Sequence, residues 1–135
     1  MSEHPNAVNV RRAFEAYNQR DFETFSDLLS EDIVSHMADP SQRGAQVALR
    51  GRSELVNIFK AMDQLSGGTQ HVEPESILAD DEHVMVFMRG TAERPGKKTH
   101  DFRFVTASRV NSDGRWKEVW YLADDERGHE EFWAE

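Results

Sequence analysis

The chain has 135 residues, of which 25 are acidic and 16 basic, so its formal charge is −9, and it contains no cysteine. This length fits one domain over residues 1–135, and the acidic balance opposes nucleic acid and anionic membranes, which both need clustered Lys and Arg. The lack of cysteine excludes disulfides, thiolate metal ligands and thiol nucleophiles.

The first half of the chain carries helical patterns. Apolar residues recur at helical spacing between Asn6 and Arg20, and again in a short second segment. The first helix presents Val10, Ala13, Phe14 and Tyr17, and the second presents Phe22, Phe25, Leu28 and Leu29. We therefore expect two amphipathic helices in succession.

A short strand and a third helix follow. Ile33 to Met37 predicts the strand, whereas Ala38 to Arg50 has few apolar residues and predicts an irregular crossing. Ser53 is a candidate N-cap for the third helix, which Gly67-Gly68 would end. One apolar stripe runs along this helix, made by Leu55, Ile58, Phe59, Met62 and Leu65.

The second half of the chain changes to the two-residue period of strands. Turn-forming residues divide it into strands near 70–79, 83–93, 99–110 and 115–123, which short turns would join into an antiparallel meander. The acidic tail, residues 124–135, retains Phe132 and Trp133 and is expected to fold back onto the body. The N-terminus has no leader pattern and no later stretch is apolar enough to span a bilayer, so the expected location is the cytoplasm.

The order of these elements resembles the SnoaL-like branch of the nuclear transport factor 2-like superfamily. The resemblance covers nearly the whole chain and is carried by RRAFEAYNQRDFETFSDLLSEDIVSHM, RGRSELVNIFKAM, ILADDEHVMVFMRGTAE, and SDGRWKEVWYLADD with EEFW behind it. It implies an α+β fold of the cystatin-like type, in which a cone-shaped, curved antiparallel sheet wraps around N-terminal helices and leaves a pocket. It also implies a homodimer built on the outer sheet face. Since members include cyclases, isomerases, hydrolases and domains without known activity, the fold fixes no reaction.

His36 is the first candidate for chemistry. It follows an apolar pair on the short strand, beside the expected pocket, where an imidazole can move protons near neutral pH. The alternative is a histidine hydrogen-bonded into the rim for structural reasons.

Asp124 and Asp125 are the second candidates, because a carboxylate enclosed at the end of the last strand would have a raised pKa, as a general acid or base requires. SnoaL-like cyclases carry an acid/base aspartate, and the resemblance places it at one of these two positions. Strand alternation turns only one of them inward. The alternative is a charged strand end that opens a solvated tail.

A third group of residues is expected to line the pocket and contact a small apolar ligand. Tyr17 could direct its hydroxyl at a bound carbonyl, although a core tyrosine with an internal partner is the more common case. His100 shares a strand face with two phenylalanines, and this aromatic face is expected to look inward. The full set is Tyr17, Phe59, Met62, His100, Phe102, Phe104 and Tyr121.

Other chemistries are disfavoured. The positions that match the ketosteroid isomerase pattern hold Ala13, Met37 and Thr106. An epoxide hydrolase would need Asp101 and Arg103 to face inward, but they share the face opposite the aromatic one and are expected to form a solvated or interfacial ion pair. The six histidines lack the paired spacing of a metal site, so neither metal nor cofactor is expected.

Three hypotheses remain. The first is a cofactor-free isomerase, cyclase or dehydratase that acts on a small apolar compound by acid–base chemistry. The second is a ligand-binding module with the same pocket and no turnover. The third is a dimeric scaffold that uses its outer sheet face, where Trp116 and Trp120 are expected to share one side of the last strand.

Overall fold

A computed structural model of the protein describes residues 3–38, 46–97 and 99–133. The described elements are α1 (Pro5–Asn18), α2 (Phe22–Ser26), β1 (Leu29–Ala38), β2 (Gln46–Arg50), α3 (Arg52–Leu65), β3 (His71–Ala79), β4 (His83–Ala92), β5 (His100–Val110), β6 (Trp116–Ala123) and α4 (Glu126–Trp133). The strands form one curved, unclosed sheet in the order β2-β1-β6-β5-β4-β3. The predicted α+β fold, a curved sheet against N-terminal helices, is confirmed.

The second half of the chain folds as predicted. Strands β3 to β6 pair as consecutive antiparallel neighbours, which is the expected meander. β1 then lies parallel to β6 and antiparallel to β2, so the N-terminal strands complete the sheet on the far side of β6. The described helices include none that is long and apolar enough to cross a membrane.

The region after α2 differs from its prediction. Helix α2 ends at Ser26, and Leu29 begins a ten-residue strand instead of closing the helix. The backbone N–H of Trp116 donates to the carbonyl of Leu28 at 2.7 Å, so pairing with β6 overrides the helical spacing of the local sequence. Of the predicted irregular crossing, 46–50 forms β2, and 39–45 lies outside the described residues.

The predicted cap of α3 is also wrong. The helix begins at Arg52, and its N-cap is Gly51 at φ 100°, without a side-chain capping bond. Only glycine adopts such a backbone angle at low cost, so the sharp turn from β2 decides the start of the helix. Its end is as predicted, because Gly67 and Gly68 have φ of 62° and 76°.

The helices and the sheet enclose the core between them. The face of the sheet that points toward the helices, here called the covered face, carries Ser35, Val84, Val86, Met88, Thr106, Ser108, Val119 and Tyr121. The helices contribute a group of aromatic rings whose neighbouring centres lie 5.2–5.7 Å apart, formed by Phe14, Tyr17, Phe25 and Phe59. A Cβ on Gly90 would come within 2.2 Å of the Phe102 ring, so this glycine makes room for the ring across the strand pair.

The opposite side of the sheet, here called the open face, carries His36, Met85, Phe87, Arg89, Asp101, Arg103, Glu118, Trp120 and Leu122. Trp116 was expected to share a face with Trp120, and this prediction is wrong. Val110 pairs with Trp116 while Arg109 pairs with Glu118, so Lys117 is an extra residue that forms a bulge. The bulge reverses the alternation, so Trp116 is buried in the core and Trp120 lies on the open face.

Candidate functional site

Several apolar side chains of the covered face and α3 remain partly exposed although they pack against the core. Met37 and Tyr121 lie side by side on β1 and β6, Phe104 follows on β5, and Met62 lies on α3. The ring of Phe59 is 6.1 Å from that of Tyr121. We call Met37, Phe59, Met62, Phe104 and Tyr121 the Tyr121 cluster.

A buried polar pair lies next to this cluster. The hydroxyl of Tyr17 donates to Oε1 of Gln70 at 2.5 Å, and both residues are 4% exposed. Burial raises the pKa of the Tyr17 phenol, so it stays protonated and acts as a donor. Gln70 was missed in the sequence, because it lies between the Gly67-Gly68 stop and β3, where no periodic pattern marks an inward side chain.

Arg20 holds this polar pair in place. Its Nε lies 2.9 Å from Oδ1 of Asp63, and its Nη2 donates to the carbonyl of Gln70 at 2.7 Å and to that of Gly68. The backbone of Arg20 has φ 61°, an uncommon conformation for a residue with a side chain. The guanidinium therefore joins the end of α1 to α3 and to the segment that carries Gln70.

Tyr121 differs from Tyr17 because its hydroxyl makes no hydrogen bond within residues 3–38, 46–97 and 99–133. Burial, and secondly the nearby Tyr17, raise its pKa, so this phenol is also protonated. The residue as a whole is partly exposed, and this unpartnered hydroxyl is a donor that a bound molecule could use.

The aromatic face of β5 lies under the C-terminal helix. His100 stacks on Phe102 with ring centres 4.5 Å apart and on Phe132 of α4 at 4.8 Å, and Phe104 continues the row at 5.6 Å from Phe102. Burial lowers the pKa of His100, and the nearby carboxylates, Asp125 first, oppose that shift. The predicted inward direction of this face is confirmed by Phe102, which is 4% exposed.

His36 lies on the open face, away from the Tyr17–Gln70 pair. Its neighbour Ser35 is 0% exposed, so alternation turns the imidazole to the other side. Nε2 of His36 is 2.8 Å from Oε2 of Glu118, and the ring stacks on Trp120 at 4.9 Å and 9°. His36 therefore points away from the helix-covered side of the sheet, and its catalytic role stays a prediction.

Asp124 and Asp125 form the exposed turn after β6. The carboxylate of Asp124 accepts the backbone N–H groups of Arg103 and Asp125 at 3.3 and 2.8 Å, and that of Asp125 accepts the N–H of Gly128 at 2.9 Å. Asp125 therefore caps the first turn of α4. The enclosure expected of a general acid is absent at these two residues, and their catalytic role stays a prediction.

The charged residues of the open face pair across strands rather than along β5. Asp101 binds Arg89 at 3.0 Å, and Arg103 binds Glu75 at 3.3 Å, instead of each other. Asp101 thus contacts the neighbouring strand β4, whereas Arg103 reaches beyond β4 to Glu75 of β3, where the β3–β4 register is irregular. No group of three or more His, Asp or Glu that could hold a metal ion occurs in the described part of the chain.

A polar cleft of about 300 Å³ lies at the opposite end of the molecule, between α1, α2 and the β5–β6 turn. Arg12 and Arg115 line it together with Asp27 and Asp113, so its charges balance. None of the four side chains makes an ion pair with a described residue. Solvated charges of this kind give the cleft no selective chemistry.

Comparison with known proteins gives one family and many structures. The sequence model of the SnoaL-like domain matches residues 10–119, and no curated protein matches the chain. Bal32a from a soil-derived mobile gene cassette is 28% identical with a TM-score of 0.83, and the match covers 95% of each chain.

Two further structures share the fold at lower identity. TerC, co-crystallised with polyporic acid, is 17% identical with a TM-score of 0.79, and 96% of this chain matches 98% of that one. IdmH, a putative polyketide cyclase from Streptomyces antibioticus, is 19% identical with a TM-score of 0.74, and 90% of this chain matches 94% of that one.

Proposed function

Because this chain belongs to the SnoaL-like domain family, we propose that it binds a small, mostly apolar organic molecule between α1, α3 and the covered face of the sheet. The observation that carries the proposal is the Tyr121 hydroxyl. It is a protonated donor without a partner in the described ranges, on a partly exposed residue within a cluster of apolar side chains. Ligand sites commonly combine such an apolar lining with a few polar groups that fix orientation.

The chemistry of the lining favours a ligand that carries a carbonyl or hydroxyl oxygen. Phe59, Met62 and Phe104 offer apolar contact, while Tyr121 can donate a hydrogen bond to an oxygen. The amide of Gln70, already bonded to Tyr17, can supply a second polar contact without moving, because Arg20 holds its backbone. His100 and Phe102 complete the lining toward α4.

The similar structures support small-molecule binding in a general sense. TerC was crystallised with polyporic acid and IdmH is described as a putative polyketide cyclase, so this fold accommodates organic ligands in other proteins. At these identities the likeness extends to the fold alone. The class of compound is therefore inferred from the side chains named above.

Binding without turnover is favoured over the cofactor-free isomerase, cyclase or dehydratase. An acid–base mechanism needs its groups within reach of one bound molecule. His36 lies on the open face, and Asp124 and Asp125 lie in an exposed turn, so the three do not converge on the Tyr121 cluster. Turnover would have to use other groups.

The test is a thermal-shift titration with neutral aromatic ketones and phenols. Saturable stabilisation is expected for the wild type, because a ligand that binds only the native state raises its melting temperature. Tyr121→Phe should weaken binding about tenfold through loss of one hydrogen bond, and Trp120→Phe on the open face should not. No saturable shift with any compound, or equal affinity in Tyr121→Phe, would contradict the proposal.

We also propose that the open face is the interface of a homodimer. Four of its large apolar side chains remain exposed, namely Leu78 at 58%, Met85 at 39%, Phe87 at 43% and Leu122 at 50%. The cross-strand ion pairs of Arg89 with Asp101 and Arg103 with Glu75 lie beside them. An apolar patch bordered by charges is typical of a protein interface.

The cytoplasm stays the predicted location of the protein.

Sedimentation equilibrium tests this assembly. Phe87→Asp should halve the mass in solution, because a charge would be buried without a partner in the interface. The matched control is Val8→Asp, since Val8 is 39% exposed on α1 and lies outside the open face. A monomeric wild type, or dissociation by both variants, would show that the open face is not the interface. A dimer that binds none of the compounds above would favour the scaffold hypothesis.

A further inference from the structure

Helix α4 lies across the end of the sheet where β4 ends and β5 begins. Its last two residues, Phe132 and Trp133, are 5% and 7% exposed and pack with Ala92 of β4. Met62 of α3 packs against this group and also against the main core. The aromatic end of α4 thus extends from α3 to the ends of β4 and β5, directly beside the Tyr121 cluster.

Contacts at its C-terminal end hold α4 in its docked position. Nη1 of Arg94 donates to the carbonyl of Phe132 at 2.6 Å, and Nζ of Lys97 donates to the carbonyls of Glu131 and Phe132 at 2.5 and 3.0 Å. Cations at this end of a helix bind its unsatisfied carbonyls and favour its dipole. The Phe132 ring adds its stack on His100.

The other end of α4 has the properties of a hinge. The exposed turn of Asp124 and Asp125 connects it to β6, and the Asp125 cap is a local bond that survives when the helix moves as a unit. A helix of eight residues is too short to be stable in water by itself. Its order therefore depends on docking, and the cost of releasing it is a fraction of the cost of unfolding the sheet.

From these contacts we propose that α4 is a lid, which swings about the turn of Asp124 and Asp125 and controls access to the Tyr121 cluster. In the closed state, Arg94, Lys97 and the stack on His100 hold the lid against β4 and β5. Opening separates the Phe132 ring from His100 and exposes the stacked rings of His100, Phe102 and Phe104 on β5. The purpose of the lid rests on the proposed function, but its opening does not.

A single thiol on the covered face measures the opening without any ligand. Ala92 is 1% exposed, pairs with His100 and packs against Phe132 and Trp133 of α4, and Ala92→Cys adds only one atom beneath the lid. Since the protein has no cysteine of its own, this thiol is unique. Its reaction with the small neutral disulfide 4,4′-dithiodipyridine then reports how often the covered face becomes accessible.

In the Ala92→Cys background, Arg94→Met together with Lys97→Met should accelerate labelling about tenfold, because the charge-assisted hydrogen bonds from both side chains to the closed lid are lost. Arg109→Met together with Lys117→Met removes the same charge from residues that make no ion pair with a described residue, and should leave the rate unchanged. Val110→Ala weakens the core at the opposite end of β5 and should accelerate labelling only in proportion to its loss of global stability.

The lid is refuted if the variant with Arg94→Met and Lys97→Met reacts no faster than the charge-matched control, or if Val110→Ala produces the same acceleration for the same loss of stability. Because labelling requires no bound compound, a failed ligand titration removes the proposed function and leaves the lid to be judged by these rates. Conversely, if compounds bind saturably but the Arg94/Lys97 variant and its charge-matched control are labelled at equal rates, the binding site is supported and the lid is contradicted.

Discussion

The two faces of one sheet hold their polar groups in opposite ways. On the covered side, Tyr17 and Gln70 form a buried hydrogen bond, and Arg20 holds the backbone of Gln70 by donating to its carbonyl. On the open face, His36 pairs with Glu118 while both side chains remain nearly 30% exposed. A fixed donor in a dry environment can orient a ligand, whereas a solvated pair contributes little and is screened. His36, the first candidate for catalysis, thus lies on the face less suited to it.

The largest expected effect comes from a matched pair of methionines on β4. Met88 is 1% exposed on the covered face and Met85 is 39% exposed on the open face. Met88→Ala should lower the free energy of unfolding by about 2–5 kcal/mol through lost burial and a cavity, whereas Met85→Ala should change it by less than about 0.5 kcal/mol in the monomer. Urea denaturation at low protein concentration measures both, and equal losses would mean that the faces are not distinct.

The two tyrosines of the site provide a second contrast. Tyr17→Phe should cost about 1–3 kcal/mol, because it leaves the buried amide of Gln70 without its partner. Tyr121→Phe should cost less than about 0.5 kcal/mol, since its hydroxyl has no partner among the described residues. Urea denaturation of both variants without ligand measures the two losses in the free energy of unfolding. A large loss in Tyr121→Phe would indicate that its hydroxyl supports the fold instead of a ligand.

The pH dependence of stability should report on His100 under α4. Burial lowers the pKa of His100 from its ordinary 6.5, and the opposing carboxylates of Asp125, Asp124 and Asp101 offset only part of the shift. The unfolded chain then takes up the proton first, so stability is full above pH 6.5 and falls as the pH drops toward the lowered value.

Urea midpoints between pH 7.5 and 5 should therefore decline less steeply in His100→Phe than in the wild type. His71→Phe, at the exposed start of β3, is the control that should keep the wild-type slope. An unchanged slope in His100→Phe would mean that the ring is not desolvated under the helix.

A small effect is also expected on the open face at His36. His36→Ala removes a partly exposed ion pair with Glu118 and the stack on the Trp120 ring, which should cost less than about 1 kcal/mol. Binding of compounds at the Tyr121 cluster should not change. If the variant instead abolishes binding or a measured turnover, the chemistry lies on the open face and the assignment to the covered face is wrong.

Local patterns predicted much of this fold and only part of the site. The meander of β3 to β6 and the stop at Gly67-Gly68 follow from alternation and turn residues, which act over a few positions. The inward direction of His100 and Phe102 followed from the same alternation. Gln70, Arg20 and Asp63 could not be found in this way, because they become neighbours only when α1, α3 and the start of β3 meet.

The sequence by itself determined the strand order in the second half and the helix-covered side of β5, since both depend on an apolar period that burial in one core must satisfy. The two aromatic residues retained in the acidic tail, Phe132 and Trp133, indicated that it folds back. Tertiary structure alone decided the faces of β1 and β6. The pairing of Leu29 with Trp116 turned a helical pattern into a strand, and the bulge at Lys117 separated Trp116 from Trp120. One inserted residue reverses every side chain on one side of it, and only the partner strand specifies where that residue lies.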